Sequence, residues 1–128
     1  MSRDGSVTLP FVDGPKIFRL GWGELIKLQE ACDAGPYVIY RRLMMGAWKL
    51  EDISNTIRLG LIGGGMTPEQ ALNFVRDYVE ARPPLESIPL AQGILGIALQ
   101  GAPDEKPGEQ GGEEAETSST TSPTENGA

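Results

Sequence analysis

The chain contains no histidine, which removes the commonest general base and the commonest metal ligand. A single cysteine, Cys32, excludes an intramolecular disulfide and fits a cytosolic protein, and its helical spacing makes it a small core residue. Long apolar runs are also missing. The most apolar stretch, Ile88 to Leu99, is too short for a bilayer of about 30 Å, and MSRDGSVTLP has no apolar core of signal-peptide length. A soluble, cytoplasmic product with no membrane partner is expected. A basic excess is absent as well. Residues 1–101 hold ten Lys plus Arg against eleven Asp plus Glu, a net of −1, so nothing neutralises phosphates and no nucleic-acid partner is expected. Residues 102–128 hold one Lys against seven acids, a net of −6, and account for most of the overall −7.

Candidate chemistry is thin. Gly60 to Thr67, GLIGGGMT, lacks the Lys-Ser/Thr of a phosphate-binding loop and follows a helical pattern, so it reads as a helix end. The carboxylate pairs Glu51 with Asp52 and Asp77 with Glu80 read as solvated helix surface. No cofactor, metal or enzymatic activity is expected.

What is present is a strand, a corner and a series of helices. Lys16 to Gly35, KIFRLGWGELIKLQEACDAG, is expected to organise the fold. Its period switches from two to 3.6 across Gly21, a residue free to take unusual φ values. Trp22, Leu25, Ile26, Leu28 and Cys32 fall at helical spacings, and Gly35-Pro36 is expected to close that helix. Upstream, Val7 to Val12 and Lys16 to Leu20 around Asp13-Gly14 predict a hairpin, with Pro10 marking the first strand as an edge or bulged one.

A second helix is expected from Pro36 through Leu50, with Val38, Ile39, Leu43, Met44, Ala47 and Trp48 on its apolar face and Arg41 and Arg42 toward solvent. Met44, Met45 and Trp48 carry two readings: core packing, which is favoured, or an adaptable surface for a partner helix. A third helix, Glu51 to Ile62, places Ile53, Thr56, Ile57, Gly60 and Leu61 on one face and two acids in its first turn. It is expected to stop at Gly63-Gly64-Gly65 because consecutive glycines are entropically costly. Thr67-Pro68-Glu69-Gln70 is a capping box for a fourth helix, expected to run along Leu72, Val75, Tyr78, Val79 and Arg82 to Pro83-Pro84. A fifth is expected over about 85–99. From Ala102 no large apolar residue remains, and the composition predicts disorder. The expected fold is α+β and mainly α: an N-terminal β-hairpin packed on four or five short helices over residues 1–101, followed by a disordered acidic C-terminal tail, residues 102–128.

Leu20, Gly23, Leu25, Leu28 and Glu30, then Leu50 to Gly65, then Met66 to Glu80, stand in an order that resembles the small tail assembly chaperone family of gene transfer agents and long-tailed phages. The resemblance covers roughly residues 6 to 101. It implies a cytoplasmic helper that binds the tape-measure protein, supports recruitment of tail tube protein and is absent, or present only in traces, in finished particles. Self-association is compatible with it. Two other classes stay open: a structural tail component retained in the particle, and a cellular adaptor unrelated to tails.

Overall fold

In the computed structural model, residues 4–10 and 14–101 are described. Two short strands, β1 (Ser6–Leu9) and β2 (Lys16–Arg19), precede five helices: α1 (Trp22–Cys32), α2 (Pro36–Met45), α3 (Leu50–Gly63), α4 (Pro68–Tyr78) and α5 (Ile88–Gln100), with a 3-10 turn at Pro84–Ser87 before α5. The strands pair antiparallel, Val7 opposite Phe18 and Leu9 opposite Lys16. β1 stops one residue before Pro10, which has no amide hydrogen to give a ladder. The rest of the expected first strand, the Asp13 half of the expected turn and the expected acidic tail lie outside the described residues.

The hairpin and the helices are as the sequence predicts, but the organising element is different. It is α3 that touches β2, α1, α2, α4 and α5, rather than the strand-to-helix unit of Lys16 to Gly35. Its faces explain why. Ile53, Thr56, Ile57, Gly60 and Leu61 are buried as expected, and Asp52 and Leu59 are buried as well. Such a helix is covered on most of its circumference, and the others form the cover.

Its last turn shows why glycines stand there. A Cβ placed on Gly63 would lie 1.8 Å from the Arg19 carbonyl oxygen, and one on Gly64 would lie 2.0 Å from that of Ile17. The helix end is pressed against the backbone of β2, an approach that only glycine permits. Gly60 takes Ile94 of α5 and Phe18 of β2 at close range. Steric access, added to the entropic cost of helix continuation, sets this sequence.

Several boundaries differ from expectation. Gly21 is not in a left-handed conformation. Its φ of −73° is an ordinary extended N-cap, and its N–H donates to Glu24 Oε1 at 3.0 Å. α1 ends on Asp33, which adopts the left-handed φ of 54° that Gly35 was expected to supply, and Gly35 instead begins α2. α2 stops at Gly46, φ 77°, well short of Leu50. α4 starts as predicted, with Thr67 Oγ1 accepting from the Gln70 N–H and Gln70 Oε1 from the Thr67 N–H, both at 3.1 Å. It ends at Tyr78, and its buried face runs through Ala71, Phe74 and Val75, leaving Leu72 exposed. On α1, Leu28 and Cys32 are buried, whereas Trp22, 85% exposed, and Ile26 face outward.

Two glycine substitutions separate the steric from the entropic contribution. Gly63→Ala should lower stability by about 1–3 kcal/mol through overpacking against β2. Gly93→Ala, in α5 with no atom within 4 Å of the new methyl, should raise it by about 1 kcal/mol. Urea denaturation of both variants is the measurement.

Candidate protein-interaction surface

The region of Met44, Met45 and Trp48 is built around a buried ion pair. α2 ends at Gly46, and residues 46–49 carry the chain to the start of α3. There the fully buried Asp52 accepts the Lys49 N–H at 2.8 Å and Arg42 Nη2 at 3.0 Å. One carboxylate therefore caps α3 and ties down the end of α2. Lys49 Nζ donates to the Cys32 carbonyl at 3.3 Å, and the Cys32 thiol donates to the Glu51 carbonyl at 3.5 Å, so the end of α1 joins the same corner. Asp52 and Arg42 are thus not the solvated charges that the sequence pattern suggested. A surface reading overlooked that three helix ends converge here.

Burial pushes the Cys32 thiol up to about 11 from 9.0, and the neighbouring Asp52 carboxylate adds to the shift. Loss of a proton is disfavoured in the folded state. Below about pH 9 the group is protonated whether folded or not, and stability falls as pH rises from 9 towards 11, where only the unfolded chain ionises. Cys32 is accordingly a structural thiol.

With its inner side fixed, α2 has a defined outer side. Ile39 and Leu43 are buried, and Tyr40 packs against Gly96 of α5. Gln92 of α5 donates to the Leu43 carbonyl at 3.0 Å. The opposite side shows Tyr37 at 62%, Val38 at 50%, Met44 at 55% and Met45 at 70% exposure. Trp48 behaves differently, being half-buried against the core. Of the three residues singled out in the sequence, Met44 and Met45 lie together on open helix surface, and core packing, the favoured reading, holds only for Trp48.

Val38, expected on the same apolar face as the buried Ile39 and Leu43, points outward with Met44, and Tyr37 lies beside them. The available signal was that α2 carries apolar residues around most of its circumference, more than one neighbouring helix can cover. Among the described residues no cluster of acidic or cysteine side chains could hold a metal ion, and no helix is long and apolar enough to cross a membrane.

The described domain is small and mainly helical, and the outer side of α2 is an exposed apolar surface of the kind that marks a candidate interaction site. A family model described as phage tail tube protein, GTA-gp10, matches residues 4–101, and the chain belongs to that family. It is a tail protein of the phage or gene transfer agent type. No curated protein and no solved structure matches the chain.

The corner makes two measurable demands. Asp52→Ala strands Arg42 and uncaps α3, and should cost about 3–5 kcal/mol in urea denaturation. Iodoacetamide at pH 8 should alkylate Cys32 in the native protein at least about a hundredfold more slowly than in the unfolded chain, because raising the pKa from 9.0 to about 11 lowers the thiolate fraction by that factor and the buried side chain is shielded as well.

Proposed function

We propose that this tail protein is a tail assembly chaperone. In this reading it binds the tape-measure protein in the cytoplasm of the producing cell, keeps its apolar helices soluble and yields them as tail tube protein is recruited. It performs no catalysis. The observation that supports the reading is the outward apolar face of α2, where two methionines offer adaptable contact area.

A second reading, a structural component of the tail tube, is favoured by the family's own description as a tail tube protein. Against it stands the secondary structure: among the described residues, two strands of four residues each offer little edge from which a tube of paired strands could be built. Membership of a tail family sets aside the adaptor unrelated to tails.

The two readings differ in what happens to the protein at the end of assembly. Quantitative mass spectrometry of purified particles, set against lysate of the same cells, should find it abundant in lysate and lost from particles. Recovery at a fixed copy number comparable to that of other tail proteins would establish the structural reading instead.

A further inference from the structure

At about 100° per residue, Met44, Tyr37, Arg41, Met45 and Val38 follow one another around α2 within an arc of roughly 120°. Arg41 is in the middle of that arc. Its Nη2 lies 3.8 Å from Met45 Sδ, and among the described residues no carboxylate pairs with it. This contrasts with Arg42 beside it, whose charge is neutralised by Asp52.

The surrounding sequence has the same sign. Between Ala34 and Leu50 the chain carries Arg41, Arg42 and Lys49 and no acid, in a protein whose net charge is −7. An exposed cation centred among four apolar side chains is complemented by a carboxylate centred among apolar side chains. A ten-residue helix is about 15 Å long, which matches two to three turns of a helix laid along it.

We infer that the outer face of α2 receives an amphipathic α-helix that sets an Asp or Glu among its apolar residues, opposite Arg41. The inference rests on the proposed chaperone function for the source of that helix, and it names the chemistry of the segment selected. Met44 and Met45 adapt to varied apolar side chains, while Arg41 fixes register and discriminates by charge. A helix with Lys at the facing position is rejected, because two cations would meet across an apolar contact.

The probe is a pair of designed helical peptides of about five turns, identical except for Glu or Lys in the middle of the apolar stripe. Each is titrated into the full chain and followed by fluorescence anisotropy. The Glu peptide should bind about five- to tenfold more tightly than the Lys peptide. Arg41→Glu should invert that preference and Arg41→Gln should abolish it, with far-UV circular dichroism unchanged because Arg41 is exposed. The preference should shrink between about 50 and 500 mM salt.

Equal binding of both peptides, no binding of either, or a preference that survives Arg41→Glu overturns the inference. So does occupation of the face by a second copy, seen as a dimer in sedimentation that Arg41→Glu dissociates. Binding to anionic lipid vesicles in place of the peptides also overturns it. Capture of the purified tape-measure protein is measured separately. If the peptides behave as expected and the tape measure is not captured, the chaperone reading fails while the chemistry assigned to α2 stands.

Discussion

The close approach of α3 to β2 is the constraint on which the rest of the fold depends. A helix of 14 residues touches every other helix and one strand, and it can do so because its two ends are chemically unlike. At the C-terminal end, Gly60, Gly63 and Gly64 leave room for Phe18, Ile94 and the β2 backbone. At the N-terminal end, the buried Asp52 accepts a backbone N–H and the guanidinium of Arg42. Small residues make the first contact possible, and a paired charge makes the second directional. Exchange the two ends and neither contact forms.

The outer surface follows from that arrangement. Asp52 holds the end of α2 through Arg42, and α5 holds its middle through Gln92 and the Tyr40–Gly96 contact. Both attachments reach α2 from the inner side. Its rotation about its own axis is thereby set, and the side carrying Tyr37, Val38, Arg41, Met44 and Met45 is left outward. A buried ion pair adds little net stability compared with an apolar replacement. Here its structural consequence is the orientation of a helix face.

Whether a feature was legible in the sequence depends on how local its cause is. The α4 start was readable to the residue, because Thr67, Pro68 and Gln70 interact within one turn. The buried stripe of α3 was readable because Ile53, Thr56, Ile57, Gly60 and Leu61 recur at helical spacing, whereas the burial of Asp52 and Leu59 on its other sides depends on elements distant in the chain. The glycines at its end were readable as a stop but not as a contact, since the strand they press against lies more than forty residues earlier. Asp52 and Arg42 looked like surface charges for the same reason. On α2, Val38 and Ile39 are adjacent and equally apolar, and only the positions of α3 and α5 decide which is buried. The tail family was legible in the order of segments, whereas the role within the tail has no local signature.

The size of the exposed face bears on that role. An apolar patch of a few hundred Å² yields about 5–10 kcal/mol of gross stabilisation at roughly 25 cal/mol per Å². Loss of translational and rotational freedom opposes association by about 4–15 kcal/mol. The two are of the same order, and buried area alone does not set affinity. Among the described residues, the outward pair Trp22 and Ile26 on α1 is a second place where exposed apolar side chains stand one turn apart. In the proposed chaperone reading one face is used at a time. In the structural reading both are engaged at once.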